Sequence, residues 1–152
     1  MSDPVEDRAA APIEIQILMA EDNPADVRLT RETLKEAGVP NTFRAVGDGS
    51  EALAFLRREG VYGAAPRPNL VLLDLNLPKM SGHEVLAEMK NDPELRRIPV
   101  VVLSGSDADR DVSEVYDRHA NSFVVKPIST EDFVRVLKSI EDFWLVAAKL
   151  PP

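Results

Sequence analysis

Charged and hydroxyl side chains stand at the ends of apolar segments at four places in the sequence. Glu21 and Asp22 follow IEIQILMA, Asp74 follows LVLL, Ser104 closes PVVVLS, and Lys126 follows SFVV. The run LVLL has no polar alternation, which is typical of a strand buried on both faces. A carboxylate at the end of such a strand is costly unless it is paired or coordinates a metal. Asp74 is therefore a candidate ion-pair partner, metal ligand or nucleophile.

The side chains at these segment ends suit a hard cation and a phosphoryl group. Three carboxylates brought together repel one another, and the pKa of at least one rises unless a cation lies among them. The candidate ligands are oxygens with no His or Cys beside them, which indicates Mg²⁺. Lys126 supplies a positive charge and Ser104 a hydroxyl donor for phosphoryl oxygens. This combination predicts a phosphoryl-transfer site, where catalysis is mostly positioning and charge neutralisation.

The three acidic residues differ in how well each would accept a phosphoryl group. Asp74 stands alone after its strand, whereas Glu21 and Asp22 are adjacent and would point in different directions if the strand persists. Carboxylates accept phosphoryl groups as aspartyl-phosphates. Asp74 is thus the predicted acceptor, and the adjacent pair is predicted to hold the metal.

The apolar segments alternate with helical patterns along the chain. Asn23-Pro24, Ser81 and Ser129 are predicted helix starts, and Gly38 is a predicted stop. The strands are expected over 13–20, 42–46, 69–74, 99–104 and 122–126, and the helices over 24–38, 48–60, 82–91, 107–119 and 130–148.

This alternation predicts an α/β fold, a doubly wound five-stranded parallel sheet of flavodoxin-like order 2-1-3-4-5. Ligands of such sheets bind beyond the carboxyl ends of the strands, at the switch between strands 1 and 3. The charged segment ends would therefore meet there.

Composition excludes several classes of protein. The chain has 152 residues, 44% hydrophobic and 29% charged, with a net charge of -8 and no cysteine. An acidic chain is not expected to bind nucleic acid, and no segment is long enough to span a membrane. The sequence predicts a cytoplasmic protein with a flexible tail over 1–12, one domain over 13–142, and an extension of the last helix over 143–152.

These motifs strongly resemble the receiver domain of two-component response regulators. The matching parts are Glu21-Asp22, Asp74 in LLDLNLPKMSG, Ser104 in VVVLSGS and Lys126 in FVVKP, and the resemblance runs from about Ile15 to Ile140. It implies that a partner histidine kinase phosphorylates Asp74, and that Ser104 and Lys126 bind the phosphoryl oxygens.

The resemblance also implies the metal ligands and a switch. Asp22, Asp74 and the backbone carbonyl of Asn76 would hold Mg²⁺, with Glu21 acting through water. The Lys126-Pro127 peptide would be cis. On phosphorylation Ser104 would move inward and Phe123 would turn in behind it, repacking the face formed by the helix over 107–119, the fifth strand and the last helix.

A narrower resemblance concerns EDNPADVRLT, PRPNLVLLDLNLPK and FWLVAAKLP, which are similar to single-domain regulators paired with bacterial phytochrome kinases. It implies a phytochrome-type kinase as partner and no output domain. Two positions depart from the common receiver pattern: Ser81 stands where many members have Asp, and Phe123 where many have Tyr, so the switch would lack a hydroxyl.

The last helix carries more apolar residues than a core face needs. Its stripe comprises Phe133, Leu137, Ile140, Trp144 and Ala147, while Val134, Leu145 and Val146 fall partly outside it. The excess is either a wide core face or a dimer contact. We expect a homodimer through the helix over 107–119, the fifth strand, the last helix and the tail.

Two other functions use similar residues. A haloacid-dehalogenase-type phosphatase also forms an aspartyl-phosphate, but it needs a second Asp where this chain has Asn76, which cannot act as general acid. A flavodoxin-like nucleotide carrier would need a glycine-rich loop after the first strand, where this chain has EDNPAD. The phosphatase remains the alternative.

Overall fold

The computed structural model describes residues 14–105 and 122–139 of the chain. In this part, five strands form one parallel sheet in the order 2-1-3-4-5, which confirms the predicted topology. The strands are β1 (Ile15–Ala20), β2 (Asn41–Val46), β3 (Leu70–Asp74), β4 (Val100–Ser104) and β5 (Ser122–Val125). Every residue of β3 and β4 is buried, as their unbroken apolar sequences predict.

Helices lie on both faces of the sheet. They are α1 (Pro24–Glu36), α2 (Gly49–Arg57), α3 (Gly82–Asn91) and α4 (Thr130–Ser139). The predicted helix over 107–119, the last helix beyond residue 139, the tail over 1–12 and the extension over 143–152 lie outside the described residues. Among the described helices, none is long and apolar enough to cross a membrane.

The predicted helix starts are confirmed by their capping hydrogen bonds. The Asn23 side chain accepts from the Ala25 N–H at 2.9 Å. Ser81 and Glu84 form a reciprocal capping box at the start of α3. At the start of α4, the Asp132 N–H donates to Ser129 Oγ at 3.0 Å. These local bonds set where each helix leaves the carboxyl edge of the sheet.

The end of α2 differs from the prediction. The helix stops at Arg57, because Arg58 adopts a left-handed conformation with φ 57°. The N–H groups of Arg58 and Glu59 then bond to carbonyls of the last helical turn. Gly60, the last residue of the helix predicted over 48–60, instead begins a short 3-10 turn, Gly60–Tyr62. A second 3-10 turn, Leu95–Arg97, precedes β4 and was not predicted.

Alternate residues of the strands face two hydrophobic clusters. On one face, Leu18 and Ala20 pack with residues of α2 and α3. On the other face, Ile17 and Met19 pack with Leu34 of α1 and with α4. The sheet is thus covered on both faces, which leaves the strand ends as the place for polar side chains.

Candidate functional site

The carboxyl edge of the sheet brings together the residues selected from the sequence. Asp74 and Ser104 are the last residues of β3 and β4, and Glu21 and Lys126 directly follow β1 and β5. Carboxylate oxygens of Glu21, Asp22 and Asp74 lie within 4.8 Å of one another. The adjacency of β1 and β3 accounts for this convergence, because parallel strands end at the same edge.

Lys126 lies within reach of three carboxylates. Its Nζ donates to Glu21 Oε1 at 2.8 Å, to Asp26 Oδ2 at 3.1 Å and to Asp74 Oδ2 at 3.3 Å. Its backbone N–H donates to the Ser104 carbonyl at 2.7 Å. The Lys126-Pro127 peptide bond is cis, as the resemblance implies. The lysine is therefore fixed at both its backbone and its ammonium group.

Among the described carboxylate partners of Lys126, Asp26 was not selected from the sequence. It lies in the first turn of α1, where an acidic residue is ordinary because it favours the positive end of the helix dipole. Lys126 is distant in the sequence, so only the packing of α1 against α4, the helix that follows Lys126, brings the two together. The signal available was the third acidic residue in EDNPAD.

Glu21 and Asp22 have different environments although they are neighbours. The strand ends at Ala20, and the Glu21 N–H still bonds to the Val46 carbonyl at 2.9 Å. Glu21 is then buried, while Asp22 is exposed. Because the strand ends before this pair, the two side chains differ in burial, but their carboxylate oxygens still lie within 4.8 Å of each other, and the buried Glu21 contacts Lys126.

Burial and charge determine the protonation of this cluster. Burial raises the pKa of Glu21 to about 7; the Lys126 hydrogen bond opposes that rise, and Asp74 adds to it. For Lys126, burial lowers the pKa, but hydrogen bonds to Glu21 and Asp26 and the charge of Asp74 outweigh burial, so its pKa is raised overall. The expected rise in one carboxylate pKa is confirmed, but burial contributes more to it than repulsion.

The segment after β3 packs closely against Asp74. The Asn76 N–H donates to Asp74 Oδ1 at 3.1 Å, which orients the carboxylate. At Gly82, a Cβ would lie 2.2 Å from the Asp74 carbonyl oxygen, so only glycine permits the start of α3 to approach so closely. The Gly82 N–H also bonds to the Leu75 carbonyl at 3.0 Å. Local structure therefore holds Asp74 in one position.

The two predicted switch residues lie on the neighbouring strands. Ser104 is buried at the end of β4. Phe123 of β5 is partly buried and packs against the cluster that α2 and α3 cover. Val125, two residues further along β5, is 41% exposed. β5 therefore carries an aromatic side chain near the core and an apolar side chain in solvent.

The donor set fits a divalent cation. The three converging groups are all carboxylates, and hard cations such as Mg²⁺ prefer oxygen ligands. Glu21 and Asp74 are buried, so their negative charges receive little stabilisation from water. A cation bound among them would reduce both the repulsion and the cost of burial.

These features, the sheet order and the acid–lysine cluster at its carboxyl edge, define a receiver domain. The family described as the response regulator receiver domain matches residues 17–138. The chain belongs to this family, which decides against the phosphatase alternative.

Particular relatives narrow the comparison. Response regulator Rcp1 of Synechocystis sp. is 47% identical over 135 residues, which cover 89% of this chain and 92% of Rcp1. The structure of the phosphorylated cyanobacterial phytochrome response regulator RcpA is 49% identical, covers 92% of this chain and 100% of RcpA, and gives a TM-score of 0.74. The structure of the bacteriophytochrome response regulator AtBRR is 39% identical and gives a TM-score of 0.77. The match covers 85% of this chain and 94% of AtBRR. This chain is thus a response regulator similar to phytochrome response regulators.

Proposed function

We propose that the chain receives a phosphoryl group on Asp74 from a phosphohistidine of a partner histidine kinase. The observation that carries this proposal is the environment of Asp74. Its carboxylate is buried, lies 3.3 Å from Lys126 Nζ, and has an oxygen within 4.8 Å of oxygens of Glu21 and Asp22. A buried carboxylate beside a cation and two further acids suits nucleophilic attack on a phosphoryl group.

Mg²⁺ is the proposed cofactor. Asp22, Asp74 and the Asn76 backbone carbonyl would hold it, with Glu21 acting through water. When bound, Mg²⁺ would neutralise charge on the carboxylates and on the phosphoryl oxygens. The all-oxygen donor set supports this choice. The crystal structure of the Mn²⁺-bound form of Rcp1, 46% identical with a TM-score of 0.72, adds support for a divalent metal.

The transfer itself requires one new bond and one broken bond. An oxygen of Asp74 bonds to phosphorus, the phosphorus–nitrogen bond breaks, and the histidine ring leaves with the electron pair. Lys126 and Ser104 bind the phosphoryl oxygens, so that the negative charge stays paired throughout. The product is an acyl phosphate that water hydrolyses in time. The chain would thus act as a phosphoacceptor in signalling and would not turn over an external substrate.

The output is proposed to be a change at one face of the domain. Ser104 and Phe123 would move together, and the face formed by residues 107–119, β5 and α4 would repack. The partial burial of Phe123 and the exposure of Val125 support this surface. A homodimer through this face and the C-terminal tail is the proposed assembly, tested by sedimentation of the phosphorylated and unphosphorylated chain. A chain that stays monomeric in both states would exclude it.

The relatives support a proposal for the type of partner kinase. RcpA is a phytochrome response regulator, and AtBRR and RtBRR are bacteriophytochrome response regulators. Their similarity to this chain supports a phytochrome-type kinase as the partner. We also assign the receiver domain to residues 13–142 and the protein to the cytoplasm, with no nucleic acid among its ligands.

Acetyl phosphate provides the direct test, because it is a small phosphoryl donor that needs no kinase. Incubated with Mg²⁺ and this donor, the wild-type chain should gain a single phosphoryl adduct by intact mass. The isosteric variant Asp74→Asn should gain none, and chelation of Mg²⁺ should slow the wild-type reaction. An adduct of equal yield on Asp74→Asn, or steady hydrolysis of small phosphoesters, would contradict the proposal.

A further inference from the structure

Asp26 contacts Lys126 although the proposed phosphoryl transfer assigns it no part. Its Oδ2 lies 3.1 Å from Lys126 Nζ, and its side chain is 26% exposed. Among the described residues, the converging carboxylates are Glu21, Asp22 and Asp74, and Asp26 is not one of them. Asp26 therefore binds the lysine from outside the group that suits a metal.

The ammonium group of Lys126 has as many donors as it has carboxylate partners. It carries three N–H bonds, and Glu21, Asp26 and Asp74 accept them at 2.8, 3.1 and 3.3 Å. Two of these partners, Glu21 and Asp74, are also proposed to serve a divalent cation and the phosphoryl group. Asp26 is the partner that can keep its hydrogen bond when the other two are engaged elsewhere.

We propose that Asp26 is a positioning residue that holds the Lys126 ammonium beside Asp74 during phosphoryl transfer. The inference rests on the proposed function of Asp74 and deepens it. One N–H of the Lys126 ammonium then keeps its hydrogen bond to Asp26 of α1, and another is directed to a phosphoryl oxygen. Without the hydrogen bond to α1, the Lys126 ammonium is held only by Glu21 and Asp74, the two carboxylates that are proposed to serve the cation and the phosphoryl group, so its position beside Asp74 is less well fixed.

The scaffold on both sides of this contact is fixed. Asp26 is the third residue of α1, and its backbone carbonyl accepts a hydrogen bond from Thr30 Oγ1 at 2.8 Å. Further along α1, Thr33 Oγ1 donates to the Ile128 carbonyl at 3.3 Å, which ties the helix to the segment after Lys126. The distance between Asp26 and Lys126 is thus set by packing of two rigid elements.

The alternative is that Asp26 only stabilises the start of α1 through the helix dipole. That role affects the free energy of unfolding but not the chemistry of a folded chain. The two roles separate when the rate of phosphorylation and the affinity for Mg²⁺ are measured independently.

The variant Asp26→Asn removes the charge and keeps the shape. With acetyl phosphate and saturating Mg²⁺, its rate of adduct formation should fall about tenfold, the size expected for losing a charge-assisted hydrogen bond. Its dissociation constant for Mg²⁺, measured by calorimetry, should change less than about twofold. Asp26→Glu keeps the carboxylate and should recover part of the rate. The matched control is Glu32→Gln, the same charge change at an exposed position of the same helix, which should react like wild type.

Three results would overturn the positioning role of Asp26. Wild-type rates for Asp26→Asn overturn the inference. A loss of rate that is seen at low Mg²⁺ and disappears at saturating Mg²⁺ also overturns it, because the aspartate would then act only through the affinity for the metal. An equal loss in Glu32→Gln overturns it too, since net charge would be the cause. A wild-type chain that forms no adduct on Asp74 overturns the proposed function as well, which distinguishes the two failures.

Discussion

Among the described residues, lysines pair with aspartates at two places beyond the carboxyl ends of the strands, one buried and one at the surface. Lys126 lies 3.3 Å from Asp74, with side chains 18% and 4% exposed. Lys79, in the segment after β3, lies 3.6 Å from Asp48, with side chains 72% and 15% exposed. We call Lys126 with Glu21, Asp26 and Asp74 the lysine cluster, and Lys79 with Asp48 the surface pair.

The carboxylates of the two groups have opposite pKa shifts. Hydrogen bonds from the Ser50 hydroxyl and the Glu51 N–H lower the pKa of Asp48, with a smaller contribution from Lys79. Burial raises the pKa of Glu21 in the lysine cluster to about 7. Asp48 caps a helix and is stabilised as an anion. Glu21 is destabilised as an anion, and a bound cation would relieve that cost. Carboxylates beside a lysine therefore have a structural role in the surface pair, and in the lysine cluster they have the chemical role that is proposed above.

Removing the lysine of each group gives the largest expected difference. At pH 8 without Mg²⁺, Lys126→Met should lower the free energy of unfolding by about 2 to 3 kcal/mol, because buried carboxylates lose their counterion. Denaturant titration measures this value. Saturating Mg²⁺ should recover part of the loss, since it supplies positive charge to the folded state alone. If Lys126→Met were as stable as wild type in the absence of Mg²⁺, the lysine cluster would contribute no more to stability than the surface pair.

The raised pKa of Glu21 predicts that Mg²⁺ affinity depends on pH. The ionised carboxylate favours the metal, so a proton bound with a pKa of about 7 must leave first. Affinity should therefore rise about five- to tenfold from pH 6 to pH 8 and level off above. Calorimetry at the two pH values tests this, with Glu21→Gln as the variant that should lose the dependence. Equal wild-type affinities at pH 6 and 8 would contradict a link between the ionisation of Glu21 and metal binding.

Removing the cap of the surface pair should affect stability alone. Asp48→Ala leaves the Glu51 N–H, which donates to Asp48 Oδ1 at 2.7 Å, without its acceptor. The expected loss in the free energy of unfolding is about 1 kcal/mol. Mg²⁺ affinity and the rate of phosphorylation by acetyl phosphate should stay at wild-type values. A fall in either would mean that Asp48 belongs to the site.

The smallest effect is expected for Lys79→Met. The pair is exposed at the lysine and its N–O distance is 3.6 Å, so the change in the free energy of unfolding should be below about 0.5 kcal/mol. The measured difference should shrink further at high salt, which screens exposed charges. A loss as large as that of Lys126→Met would contradict the claim that the surface pair contributes less to stability than the lysine cluster.

Much of the fold was predictable because its signals are local. The apolar runs predicted the strands, and Asn23, Ser81 and Ser129 predicted helix starts through bonds to their own helices. The end of α2 was not predictable in this way. Gly60 looked like a stop, but Arg58 takes the left-handed conformation that glycine usually provides.

The candidate site was predictable where residues end a strand or follow it within two positions, as is true of Glu21, Asp22, Asp74, Ser104 and Lys126. Asp26 was missed because its contact is tertiary: an acid in a first helical turn is ordinary, and only the packing of α1 near Lys126 shows its role. The unequal burial of Glu21 and Asp22 could not be predicted from the sequence for the same reason, because it also depends on tertiary packing.

The most direct test of the account is to locate the phosphoryl group itself. After reaction with acetyl phosphate and Mg²⁺, borohydride reduction converts an aspartyl-phosphate to homoserine, which tryptic mapping assigns to a residue. Asp74 lies on the peptide over 59–79, whereas Asp22 and Asp26 lie on the peptide over 9–28. Phosphorylation of Asp74 predicts homoserine at position 74 alone. Homoserine on the 9–28 peptide, or none on either, would contradict it.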